Sequence, residues 1–248
     1  MLLLLGELAR GPVAARETLL RDGIVGAVLA TLESYMGGVA GMQMRPDHMG
    51  DACVVLAHLA RDSPAMQEVL LEARAVGKVL SAMRLEPTHR RLQFCAAQVL
   101  LSMCEHPETQ RRVRKEWALQ TIVESLTASS GAVNFHTGKS PGNSKACEAL
   151  CRVLGMVTAP IGEITCDDDA FLQVQEQLQE MGLAAKVAVF MEQLVREEPS
   201  EWHTQVLTTQ LRLLCGLIHR FPPGQELLRP YVDMMTACLT ATTSSELS

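Results

Sequence analysis

Apolar residues recur along this chain at the spacing of one helix face: i, i+3, i+4 and i+7. The stripe appears five times in short segments, as Val25/Val28/Leu29/Leu32, Val76/Val79/Leu80/Met83, Leu119/Ile122/Val123/Leu126, Val187/Phe190/Met191/Leu194 and Tyr231/Met234/Met235/Cys238. Longer segments in between carry stripes of their own. The clearest are Met1/Leu4/Leu5/Leu8, Ala52/Val55/Leu56/Leu59, Ala96/Val99/Leu100/Met103 and Leu211/Leu214/Cys215/Ile218, and residues 146–154 support two adjacent stripes. A helix with two apolar seams has neighbours on both sides, as stacking between repeated units demands. No segment alternates with period two. The pattern predicts an all-α protein.

Proline punctuates the pattern. Pro12, Pro64, Pro107, Pro160 and Pro222 each follow an apolar helical run and precede another, at separations of 52, 43, 53 and 62 residues. A basic unit of roughly 42 residues lies within the range of two- and three-helix repeats. Extra loop at 36–48, 127–144 and 161–169 then accounts for the excess. The units align internally as well. Leu8-Ala-Arg, Leu19-Leu-Arg-Asp-Gly23 and Val28-Leu-Ala-Thr-Leu32 fall one constant offset of 51 from Leu59-Ala-Arg, Leu70-Leu-Glu-Ala-Arg74 and Val79-Leu-Ser-Ala-Met83. The array divides into a partial unit 1–11, full units 12–63, 64–106 and 107–159, an irregular unit 160–221 and a partial unit 222–248. All of 1–248 is read as one repeat array.

Within a unit, a short helix opens with His106-Pro107-Glu108-like text. A turn such as Arg21-Asp22-Gly23 leads to a second helix, and an Ala/Leu-rich third helix follows, as in the run from Arg91 to Met103. This layout resembles the armadillo repeat family over nearly the whole chain, with HEAT repeats as the close rival. The resemblance implies a right-handed α-solenoid of about four to five repeats. The unit at Pro160 departs from it, with an acidic loop (Cys166-Asp-Asp-Asp169) and a new helix at 171–181 in place of the short helix. Gly23 also gives way to Arg74 and Trp117 in later units.

Composition narrows the function. Hydrophobic residues make up 48%, charged residues 20% and aromatic residues only 4%, at a mean hydropathy of +0.11. The formal net charge of −6 and the shortage of aromatic stacking platforms argue against nucleic acid as a partner. No apolar run is long enough to cross a membrane, so no membrane insertion is expected. The eight cysteines form no C-x-x-C pair and lie mostly within apolar helical runs. They read as reduced core thiols in a reducing compartment, the cytoplasm with the nucleus as an alternative. Cys147 and Cys151 share a helix face, but no second Cys/His pair completes a zinc site. Gly138-Lys139-Ser140 imitates a phosphate loop, yet Val133 stands where a Walker glycine belongs and no strand precedes it. No catalytic constellation, metal site or cofactor is expected, and the chain reads as a non-enzyme.

What remains is surface. The stretch from Arg84 to Lys115 carries a net +4, whereas 163–201 carries −8. In peptide-binding armadillo proteins the third helix presents a Trp and an Asn four residues apart along a concave groove. Here the Trp place holds Leu3, Val54, Gln98, Glu148 and Arg212, and the Asn place holds Glu7, His58, Ser102, Arg152 and Gly216. None matches, so an asparagine ladder clamping an extended peptide is not expected. The groove still offers the partner-facing candidates His58, Gln98, Ser102, Glu148, Arg152 and Arg212, with Arg90, Arg91, Arg111 and Arg112 from the basic stretch. The expected function is a non-catalytic protein-interaction scaffold or complex subunit. The alternative is a chaperone-associated adaptor or nucleotide-exchange factor of armadillo-like type. The N-terminal helix, apolar on both sides, is expected to be covered by further repeats, by self-association or by another subunit.

Overall fold

Proline and glycine set the helix boundaries. In the computed structural model of this chain, residues 2–37, 45–115, 118–131, 141–158, 176–180, 182, 187, 225–226, 229–233, 236 and 240 are described. All regular structure among them is helical. The helices are α1 (Leu2–Arg10), α2 (Val13–Arg21), α3 (Ile24–Gly37), α4 (Pro46–Ala60), α5 (Pro64–Glu72), α6 (Ala75–Leu85), α7 (Arg90–Met103), α8 (Pro107–Lys115), α9 (Ala118–Gly131) and α10 (Pro141–Thr158), with a 3-10 turn at Arg229–Tyr231. The chain divides into two compact units, Met1–Val153 and Leu154–Ser248, and α10 crosses the division.

Local chemistry explains the starts and stops. Proline opens α4, α5, α8 and α10, where its missing N–H and fixed φ suit the first turn. The Ser63 hydroxyl accepts the Met66 N–H at the head of α5, and His89 Nδ1 accepts the Leu92 N–H at the head of α7. The turn between α2 and α3 places Gly23 at φ 72°, a left-handed conformation natural to glycine. Arg74, one offset of 51 further on, adopts φ 56° at the same turn between α5 and α6. The backbone is thus repeated even where the glycine is not.

In the first unit the helices from α1 to α9 pack on their sequence neighbours, and most of those from α1 to α6 also pack on the helix three places on. The third-helix row runs α1 on α4 on α7, the second-helix row runs α3 on α6 on α9, and α5 packs on α8. Polar links follow the same rule. Arg16 Nη1 donates to the Arg61 carbonyl, Arg91 to the Asp47 carbonyl and the Asp51 carboxylate, Arg112 to Glu68, and Thr109 Oγ1 to Gln67; these partners are 40 to 45 residues apart. The period read from proline spacing is therefore also the period of the contacts.

From α3 to α10 the described residues of the predicted stripes are buried, and the one exception lies in α1; the 187–194 and 231–238 stripes lie mostly outside the described residues. Val25, Val28, Leu29 and Leu32 are buried, as are Val76, Val79, Leu80, Met83, Ile122, Val123 and Leu126. In α4, both Ala52/Val55/Leu56/Leu59 and the second seam of Met49, Cys53, Ala57 and Ala60 are buried, and α7 and the first part of α10 repeat this double burial. The exception is α1. The expected inward stripe of Met1, Leu4, Leu5 and Leu8 is wrong in phase: Leu2, Gly6 and Ala9 face inward, Leu5 is half-buried, and Leu4 and Leu8 are exposed. Leucines on every side leave the periodicity without a phase. Gly6 supplies it, because a Cβ built there would meet Val54 Cγ1 at 3.7 Å and Val55 Cγ2 at 3.9 Å. That closeness of approach turns the small residues toward α4.

The loops expected at 36–48 and 127–144 are also shorter than predicted. α3 continues to Gly37 and α4 begins at Pro46, while α9 reaches Gly131 and α10 begins at Pro141. Pro46 and Pro141 belong to the first turns of α4 and α10, where proline is accommodated, and not to the loops before them. The remaining 38–44 and 132–140 lie outside the described residues. So do the 161–169 loop, most of the acidic stretch and the 211–218 stripe. Of the helix expected at 171–181, residues 176–180 are helical with Leu178 buried.

Candidate interaction surface

Beside the fully buried seams, the third-helix row carries side chains that are exposed or half-buried. On α1 these are Leu3, Leu4, Glu7 and Leu8, all exposed. Half-buried Val54, whose Cγ1 also meets the Gly6 position of α1, and half-buried His58 occupy the row on α4, and half-buried Phe94 and Gln98 on α7; on α10, which the repeat spacing alone assigns to the same row, Glu148 is half-buried and Arg152 exposed. The helix period makes this a row: with two faces of each helix occupied by neighbours, positions four apart such as Val54/His58 and Phe94/Gln98 remain. His58 lies in a cationic setting. Partial burial lowers its imidazole pKa most, and Arg61, Arg10 and Arg16 lower it further, opposed only by Glu7.

Ser102 must be withdrawn from this row. It is buried, with 4% of its surface exposed, and its carbonyl accepts from Gln67 Nε2 at 2.8 Å. Arg212 lies outside the described residues. The basic candidates are exposed or half-buried but largely engaged within the fold. Arg91 bridges to Asp51 and Asp47 across the α4–α7 contact, and the Asp51 hydrogen bond raises its already high pKa. Arg112 pairs with Glu68 across α8–α5, and Arg111 pairs with Glu108 one turn away at 3.2 Å. Arg90 is exposed at the first turn of α7. The +4 stretch therefore links helices, and exposed pairs of this kind contribute little each, up to about 1 kcal/mol.

Sequence reasoning missed the glutamines. Gln67 on α5 is fully buried, and its amide donates to the Ala60 carbonyl at 3.1 Å and the Ser102 carbonyl at 2.8 Å, both in the last turns of third helices. Its Oε1 accepts from Thr109 Oγ1 at 3.1 Å. One side chain thus ties α4, α5, α7 and α8 together. Gln93, equally buried, donates to the Met83 and Glu86 carbonyls at the end of α6, both at 2.9 Å. Terminal carbonyls have no partner within their own helix, and these amides supply one. A signal was present in the sequence: Pro64-x-x-Gln67 and Pro107-x-x-Gln110 repeat a polar residue on the inward side of each first helix.

The five described cysteines are packing residues. Cys53, Cys95, Cys104, Cys147 and Cys151 are buried free thiols. Burial raises the Cys53 thiol strongly, with Cys95 adding to it, and burial pushes Cys95 up to about 11 and Cys147 up to about 12. Among the described residues no group of three or more His, Cys, Asp or Glu could hold a metal ion. None of the described helices is long and apolar enough to cross a membrane.

No family model, curated protein or solved structure matches this chain.

Proposed function

We propose that this chain is a helical-repeat scaffold of armadillo-like type, a non-catalytic module that binds a protein partner through the outward row of its third helices. The observation that carries this reading is the packing of helix on helix three places on, with linking residues 40 to 45 apart. A three-helix unit that repeats at that interval and touches only its neighbours is the building principle of an α-solenoid. Such a stack aligns equivalent side chains into a continuous strip, here Leu3 and Glu7, Val54 and His58, Gln98, then Glu148 and Arg152. The strip mixes apolar, acidic and basic groups that are exposed or half-buried, which suits recognition of a partner of mixed charge. The arginines of the basic stretch contribute less than their number suggests, because Arg91, Arg111 and Arg112 are neutralised locally.

The test is site-specific photo-crosslinking. A photoreactive residue is placed at Val54 or Gln98 on the row, and at exposed Glu72 on α5 as a control. One partner protein captured from both row positions, absent from Glu72 and lost in the Glu148→Lys/Arg152→Glu chain supports the reading. Capture from Glu72 alone, or equal capture from all three, would overturn it.

A further inference from the structure

Beside His58 the row carries a cluster of cations. With the offset of 51, Arg10 corresponds to Arg61 and Arg16 to Gln67, and a further 43 residues leads from Gln67 to Gln110. Arg10 closes α1, Arg61 follows α4, and Arg16 reaches across from α2 to donate through Nη1 to the Arg61 carbonyl. His58 senses all of them. Burial lowers its pKa most, Arg61, Arg10 and Arg16 follow, and the Glu7 carboxylate opposes them. Like charges therefore meet one repeat apart, the opposite of Arg91 with Asp47 or Arg112 with Glu68.

The stack does not call for this charge. Gln67 and Gln110 are buried neutral amides, and Gln67 finds its close partners inside the fold. Arg16 at the equivalent place is half-buried, and its Nε is enclosed without a hydrogen-bond partner, which costs stability. Its Nη2, also unbonded, is not enclosed. Arg10 and Arg61 are exposed, and neither side chain has a hydrogen bond or ion pair among the described residues. Glu17 and Asp62, beside Arg16 and Arg61 in sequence, are exposed and pair with neither. A cation at the end of α1 or α4 complements that helix's dipole. That accounts for one arginine at each end and leaves Arg16, whose carbonyl contact a glutamine would also make.

Three guanidinium groups against one carboxylate leave a surplus of two positive charges, on a chain whose net charge is −6. A phosphate monoester carries about −1.5 to −2 at neutral pH and three acceptor oxygens, which guanidinium forks match two at a time. A single carboxylate would answer half of the surplus. We propose that Arg10, Arg16 and Arg61, with His58 at their side, hold a phosphorylated side chain of the protein that binds the row. The inference rests on the scaffold reading above, since Glu7 and His58 are themselves row positions.

The probe is the tripeptide acetyl-Gly-phosphoserine-Gly-amide, titrated into the full chain and followed by NMR of arginine Nε–Hε groups and histidine rings. The signals of Arg10, Arg16, Arg61 and His58 should move and saturate, while those of His48 and His89 stay. Arg16→Gln should weaken binding at least about tenfold yet keep or raise the thermal midpoint, because Gln67 and Gln110 fill that place in later units. Arg10→Gln should weaken it likewise. Arg21→Gln, which removes the same charge from an exposed position on α2, should leave it within about twofold. Binding that survives both Arg16→Gln and Arg10→Gln would overturn the proposal, as would shifts spread evenly over all arginines or equal binding of acetyl-Gly-Glu-Gly-amide. The source of the phosphate is read separately: capture of the partner from Val54 should fall when the extract is first treated with a phosphatase. Undiminished capture would assign the site to a free anion and overturn the proposal too. No capture from either row position would sink the scaffold reading, whereas capture without any tripeptide binding would sink this inference alone.

Discussion

Replacing Gln67 by leucine removes one side chain from the place where four helices meet. Volume is nearly conserved, so the cost is almost wholly polar. Three close partners lose a bond, the Ala60 carbonyl, the Ser102 carbonyl and the Thr109 hydroxyl, and the Glu105 carboxylate loses a long one that it can replace with water and the Asp62 N–H. Ala60 retains a long bond from the Ser63 N–H at 3.4 Å, and Thr109 can turn wholly to the His106 carbonyl at 2.9 Å. Ser102 is left as the principal orphan. A buried group without a partner costs about 1–3 kcal/mol, so one full and two partial losses give roughly 2–4 kcal/mol. Set against the roughly 5–15 kcal/mol that holds a domain together, the effect is large. Urea unfolding followed by far-ultraviolet circular dichroism should show the midpoint lowered at unchanged slope. Gln67→Glu should be worse at neutral pH, because a carboxylate would face two carbonyls and the Glu105 carboxylate, now 3.5 Å from the amide nitrogen. Burial and these acceptors would raise its pKa, so its protonated form supports the fold and the variant should lose stability as pH rises. A Gln67→Leu chain within about 0.5 kcal/mol of the unsubstituted protein would refute the argument that this amide joins the units.

Other outcomes follow from single positions. Arg74→Gly should stabilise by about 0.5–1 kcal/mol in thermal unfolding, since it relieves a left-handed residue at an exposed turn; a loss of stability would mean that the Arg74 side chain matters more than its backbone. Gly50→Ala should be neutral or stabilise by up to about 1 kcal/mol through helix propensity, because its Cβ would meet only ordinary contacts at 3.7–3.9 Å, while Gly50→Leu should destabilise strongly. The thiols Cys53, Cys95 and Cys147 should resist a thiol reagent at neutral pH until urea is added. Their folded pKa values exceed the ordinary 9.0, so the folded chain holds these protons longer than the unfolded one, and unfolding free energy should fall as pH rises from 9.0 through about 11 and 12.

How much could be read from the sequence depended on whether a residue's role was periodic. Val28, Val55 and Val99 recur at helical and repeat spacing together, and each is buried as that spacing requires. Arg74 shows the backbone repeating beneath a changed residue, which an alignment of letters registers only as a departure. α1 marks the limit: a run of four leucines holds no phase information, and the phase came from Gly6 meeting Val54 and Val55, a contact some 48 residues away in the chain. The basic stretch failed differently. Counting charge between Arg84 and Lys115 ignores Asp47, Asp51 and Glu68, which lie outside the counted window but one unit away in the fold.

That failure indicates where recognition chemistry belongs in such a stack. A charged residue on a first or third helix has a neighbour about 44 positions away, so opposite charges at that interval neutralise one another and serve the stack. Only side chains whose equivalents one unit away are not complementary remain for a partner. Arg91 has Asp47 and Arg112 has Glu68, so both are consumed internally. Val54 has half-buried Gln98 at the corresponding place and His58 has buried Ser102, pairs with no mutual claim. If interaction surface is what the repeat interval leaves uncompensated, substitutions at His58 and Gln98 should alter binding with little effect on unfolding. Substitutions at Arg91 and Arg112 should do the reverse, which binding and urea titrations on one set of variants would decide.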